Sequence, residues 1–135
     1  MKDLIIYANG IDGAYNSKEW DKTYPNVDEI KRAVEFIKII QFKKLKRPNQ
    51  QCSSSYSIKH IAEDFLRLKY GDNKNCYISN GAFIEAMKQQ GYLFERQNDK
   101  SPYLSLNAVF NISVSEVRKI RIAICYERNI SEYLL

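Results

Sequence analysis

The sequence predicts an α+β fold, and three observations predict it. Two amphipathic stretches with helix-start and helix-stop residues follow one another over residues 57–70 and 80–90. Gly91 ends the second stretch. Two short apolar runs follow, at 92–96 and 103–107, separated by the polar, proline-containing segment 97–102. Helix, turn, helix and hairpin, in that order, are the layout of a winged helix-turn-helix, here with an added N-terminal strand and helix.

The elements are read in chain order. Residues 4–8 form a short apolar run closed by Asn9-Gly10, a strong turn pair, so a strand is expected there. Residues 11–25 are turn-rich and carry Tyr15, Trp20 and Tyr24; a second short strand at Ala14-Tyr15 is the one regular element they suggest. Asn26 suits an N-cap, with Asp28 and Glu29 where carboxylates favour the helix dipole. Ile30, Ala33, Val34, Ile37 and Ile40 keep helical spacing to about residue 45, and Phe36, Ile39 and Phe42 widen the apolar side. Such a face is buried on more than one side or offered to a partner.

Residues 48–55 are polar, small and aperiodic, and read as a linker. They divide an N-terminal arm, 1–50, from the winged helix-turn-helix with its C-terminal helix, 51–135. Ser55 or Ser57 caps the next helix, whose stripe is Ile58, Ile61, Ala62, Phe65 and Leu68 and whose stop is Gly71. Ser79 or Asn80 caps the following one, with Phe83, Ile84 and Met87 toward the core. On the hairpin, Tyr92, Phe94 and Arg96 share a face, as do Leu104 and Leu106. Ser113 and Glu116 make a capping box for a last helix to about residue 127.

Composition narrows the function. The net charge is +5, and it is uneven. Residues 1–28 hold three Lys/Arg and five Asp/Glu, whereas residues 29–50 hold seven and two, so the excess sits between Lys31 and Arg47. A polyanionic partner fits such a segment. The three cysteines, Cys52, Cys76 and Cys125, contain no CxxC pair, and His60 is the sole histidine, so no zinc-ligand set is legible and no metal or cofactor is expected. Scattered odd cysteines suggest reduced thiols in a cytoplasm. The N-terminal apolar run is too short for a signal or a membrane span, so no membrane is expected among the partners. No paired carboxylates, Ser-His-Asp order or glycine-rich phosphate loop is visible, and a non-enzymatic role is expected.

Tyr56-Ser57-Ile58-Lys59-His60, then Tyr77-x-Ser79-Asn80-Gly81-x-Phe83-Ile84-x-Ala86, then Gly91-Tyr92, with Phe110-Asn111 closing the hairpin, resembles a pattern in small winged-helix-like accessory proteins of phages and mobile elements. The resemblance covers about 60 of the 135 residues. It implies a winged-helix domain and no catalysis. On domain pattern and composition the chain also resembles the small middle protein of the staphylococcal cassette replication module, which implies a polymerase and single-stranded DNA as partners.

Candidate contacts follow. Lys43, Lys44, Lys46 and Arg47 can hold phosphates, or can simply favour the end of a helix and solubility. The N–H groups at Ser79, Asn80 and Gly81 can cradle a phosphate, or serve as an ordinary cap. Lys88 and Gln89 can read bases from the second helix, or stand in solvent. Lys59, near the start of the first helix, and Arg96, on the wing, complete the set. The expected function is double- or single-stranded DNA binding in replication or gene control. The competing expectation is an adaptor or inhibitor that docks on a polymerase, nuclease or other protein.

Overall fold

Asn26 starts the first helix as expected: its side-chain oxygen accepts the Asp28 and Glu29 N–H groups at 2.9 and 3.1 Å. The computed structural model describes residues 4–13, 23–98 and 104–126. Within them the order is β1 (Ile6–Tyr7), β2 (Gly10–Ile11), α1 (Val27–Ile40), α2 (Ser55–Tyr70), α3 (Asn80–Gln89), β3 (Phe94–Arg96), β4 (Ala108–Phe110) and α4 (Val114–Cys125). The described residues thus form an α+β fold of four helices and two antiparallel two-stranded sheets.

Helix α1 stops at Ile40, five residues before the expected end. Gln41 takes a left-handed conformation, φ 55°, and its N–H closes on the Ile37 carbonyl at 2.9 Å. At 100° per residue, a continuing helix would carry Phe42 about 120° away from Phe36. The chain instead leaves the helix and Phe42 turns inward, its ring 6.2 Å from that of Phe36. Consequently Lys43, Lys44, Lys46 and Arg47 lie on a loop rather than on a helical end.

Ser54, one residue before the expected caps, starts α2. Of the two expected caps, Ser57 lies within the first turn and gives its N–H to Ser54, and Ser55 is fully buried and bonds α3. Ser79 starts α3, and Ser113 starts α4 by accepting the Glu116 N–H at 3.2 Å. In return the Glu116 carboxylate accepts from the Ser113 hydroxyl at 3.4 Å. The Glu116 carboxylate accepts the Lys43 backbone N–H.

The second hairpin strand falls at Ala108–Phe110, not at 103–107, paired in the register Phe94↔Phe110, Glu95↔Val109 and Arg96↔Ala108. All three β4 residues are buried. A strand enclosed on both faces shows no alternation, so the period that pointed to Leu104 and Leu106 misled; Leu104 is exposed. The N-terminal hairpin is tighter than expected, with Ile6 opposite Ile11; the suggested strand at Ala14-Tyr15 lies outside the described residues.

One core joins the whole. Phe36 of α1 meets Phe65 of α2 and Phe83 of α3 at ring distances of 5.5 and 6.4 Å, and Phe83 meets Phe110 of β4 at 5.9 Å. Ile6 and Ile11 join the same cluster. The described residues of the segment 1–50, Phe36 and Phe42 among them, thus contribute to the same core as those of 51–135. Helix α3 lies centrally, against α1, α2 and the β1–β2 hairpin.

Candidate nucleic-acid interface

The motif residues meet at the junction of α2 and α3. Glu63, 3% exposed, receives the Ile78 N–H at 2.9 Å, the Lys59 ammonium at 3.4 Å and His60 Nδ1 at 2.9 Å. Lys59 is 5% exposed, its ammonium about midway between the Tyr56 and Tyr77 rings, 5.2 and 5.0 Å from their centres. The Ser55 hydroxyl donates to Asn80 Oδ1 at 2.7 Å and accepts the Ala108 N–H at 3.0 Å. Asn80 Nδ2 donates to the Asn9 carbonyl and to Asn107 Oδ1. Two distant sequence strings thus meet in two polar clusters, one centred on the Glu63 carboxylate and one on the Ser55–Asn80 pair.

Four of the groups expected to contact phosphate are engaged within the chain. The Ser79 N–H is given to Glu29 Oε1 at 2.7 Å, and its hydroxyl accepts the Ala82 N–H. The Gly81 N–H bonds the Ala8 carbonyl at 2.8 Å, and a Cβ on Gly81 would stand 1.7 Å from the Tyr7 carbonyl oxygen. Glycine here admits the chain's own hairpin, which covers the α3 N-terminus where a phosphate was expected. Asn80 and Lys59 are consumed in the same way.

Arg96 is likewise engaged within the chain. Its guanidinium donates to the Ser105 and Asp12 carbonyls, tying β3 to two loops. Burial lowers its pKa, against the opposing charge of Asp12. Of α3, Ala82, Phe83, Ile84, Ala86 and Met87 are buried, and only the C-terminal end is open. Lys88 and Gln89 are exposed there, with Gln89 donating to Glu85 at 3.3 Å. A helix so enclosed does not present a base-reading face along its length.

Besides Lys88 and Gln89, the basic loop is the part of the expected set that remains open. Residues 41–50 contain Lys43, Lys44, Lys46 and Arg47 and no carboxylate, and all four cations are exposed. Among the described residues none of the four has an ion-pair partner. The loop is nevertheless held firmly. Leu45 N–H donates to the Asn111 carbonyl at 2.7 Å, Asn111 Nδ2 returns a bond to the Leu45 carbonyl at 2.8 Å, and Asn49 N–H reaches the Phe110 carbonyl at 2.9 Å. The Tyr92 hydroxyl donates to the Phe42 carbonyl at 2.6 Å; burial first, then the charge of Glu116, pushes its pKa up. Helix-dipole effects fade within a turn, so α1 does not account for cations three and more residues past its end. Lys44 alone reaches a helix end, that of α3, with its ammonium beside Gly91 and 4.9 Å from the Tyr92 ring centre.

Asn111 is the positioning residue that sequence reasoning missed. It is buried, its Oδ1 accepts the Leu93 N–H at 2.8 Å, and it fixes loop and hairpin together. Its one sequence signal was its place at the end of the motif. A second open surface is aromatic: Tyr56 and Tyr77 are 51% and 52% exposed, and His60 stands edge-on to Tyr56 at 4.6 Å. Cys52, Cys76 and Cys125 are free thiols, and burial pushes that of Cys52 up. Among the described residues no group of three His, Cys, Asp or Glu could hold a metal ion, and no helix is long and apolar enough to cross a membrane. No protein-family model, curated protein or solved structure matches this chain.

Proposed function

We propose that the protein binds the sugar-phosphate backbone of DNA through the loop at Lys43, Lys44, Lys46 and Arg47, without catalysis, as an accessory protein of a phage or mobile element. The observation that carries the reading is four exposed cations, unpaired within the described residues, on a loop pinned to Asn111, Phe110 and Glu116. Exposed lysines on a fixed backbone lose little order when they meet phosphates, and they release counterions from the polymer. The succession of α2, α3 and the β3–β4 hairpin is compatible with a winged helix and in that way supports the family resemblance. Because the N-terminal hairpin covers the start of α3, the contact falls to the loop and to Lys88, and sequence reading by α3 is not part of the proposal.

The test is fluorescence anisotropy with duplex and single-stranded oligonucleotides across a salt series. Replacing the four cations with Gln is expected to flatten the slope of log K against log salt by up to ~0.7–0.9 for each phosphate no longer neutralised. Binding by the parent to neither oligonucleotide at low salt would overturn the reading.

A second reading, an adaptor docking on a polymerase, nuclease or other protein, is favoured by the exposed Tyr56 and Tyr77 rings. It no longer draws on α1, whose Phe36 is buried, as is Phe42 just after it. Tyr56→Ala with Tyr77→Ala should abolish capture of a replication polymerase and spare DNA binding; capture unchanged would remove this reading.

A further inference from the structure

The C-terminal ends of α1 and α3 meet at an open cavity of about 540 Å³. Its floor is apolar: Ile37, Phe42 and Tyr92 are all buried side chains. Two ammonium groups border it, Lys38 from α1 and Lys44 from the basic loop. Two amides complete it, Gln41 after α1 and Gln90 after α3. No carboxylate lines it. The volume falls in the range of small-molecule sites, about 300–1,000 Å³.

Each feature selects a part of one ligand. Ammonium groups without a neighbouring carboxylate select an anion. An apolar floor selects a flat, weakly hydrated body. A side-chain amide offers a donor and an acceptor together, the pair that matches the amine-and-ring-nitrogen edge of adenine. Neither the Gln41 nor the Gln90 side chain makes a hydrogen bond to the described residues, so both remain able to pair with a ligand. We infer that the cavity binds a nucleotide, its base over Ile37 and Phe42 and against the two amides, its phosphate on Lys38 and Lys44. The inference rests in part on the proposed phosphate-binding loop, because Lys44 belongs to both. The nucleotide can be free or can be one residue of a strand.

The experiment is an amide NMR titration of the full chain with dAMP and, separately, with inorganic phosphate. dAMP is expected to shift the Gln41 and Gln90 side-chain amides and to bind tighter than phosphate by a factor of about five or more. Gln90→Ala should bring dAMP close to the affinity of phosphate. So should Gln41→Gly, which removes the amide and keeps the left-handed backbone. Equal affinity for dAMP and phosphate, no binding of dAMP, or full dAMP affinity in both variants would overturn the inference. A single-stranded oligonucleotide that displaces dAMP assigns the site to a strand; dAMP retained in its presence assigns it to the free nucleotide. Failure of dAMP to bind, with salt-dependent oligonucleotide binding intact, would remove the nucleotide site and leave the loop proposal standing. Failure of both would remove both.

Discussion

Glu63 shows how much one residue holds at the α2–α3 junction. Its buried carboxylate is shared by Lys59, His60 and the Ile78 N–H. Removing it leaves a buried N–H without its acceptor and a buried ammonium with only the Tyr56 and Tyr77 rings beside it. Glu63→Ala is therefore expected to cost about 3–5 kcal/mol in urea unfolding. Its neighbour Asp64 pairs with Arg67 at 2.6 Å on the exposed side, and Asp64→Ala should cost no more than about 1 kcal/mol. Equal losses would show that burial is not what separates the two carboxylates. Glu35 gives a pH test. Burial raises its pKa, but hydrogen bonds from Lys69 and Tyr70 outweigh that and the net shift is downward. Its contribution is then full above the ordinary glutamate value, about 4.3, and is lost as pH falls through the depressed folded value. Glu35→Gln should flatten the acid limb of stability against pH. An acid limb identical to the parent's would remove the Lys69–Glu35 pair from the account.

At the scale of elements, two glycines carry opposite expectations. Gly91 has φ 86°, and the nearest atom a Cβ would meet is the end of the flexible Lys44 side chain. Gly91→Ala should cost about 1–2 kcal/mol, the cost of a left-handed non-glycine residue. Gly81 is helical, yet its Cβ would run into the backbone of Tyr7. A backbone cannot move aside as a side chain can, so Gly81→Ala should cost more than about 3 kcal/mol or release the β1–β2 hairpin from α3. Urea midpoints and exchange protection of the residue-81 amide would check this. A variant as stable and as protected as the parent would mean that the hairpin does not cover α3.

For the whole molecule, the shared core makes the two sequence segments one cooperative unit. Far-ultraviolet and tyrosine near-ultraviolet circular dichroism should give one coincident unfolding transition. Two separated midpoints would restore 1–50 as an independent arm. Phe36→Ala and Phe83→Ala, one from each segment, should each lower the midpoint of that single transition, at a cost of about 3–5 kcal/mol. Charged substitutions at Phe36 or Phe42 would unfold the chain, so they cannot probe a docking surface.

The sequence by itself determined what is local. The cap at Asn26, the stops at Gly71 and Gly91, the apolar stripe of α2, the core face of α3 and the excess of charge before Arg47 follow from neighbouring residues, and they placed four helices and a hairpin within a few positions. The α+β class was legible for that reason. What the tertiary structure decided depends on residues far apart in the chain. Phe42 ended α1 early because its ring fills the core beside Phe36, which moved the basic cluster from a helix end to a loop. β4 lost its alternation because both of its faces are covered. Lys59, Asn80 and Gly81 read as candidate contacts of a binding motif, yet the N-terminal hairpin and Glu63 enclosed them. Local pattern records which groups a segment offers; only packing determines whether a distant part of the same chain has already taken them.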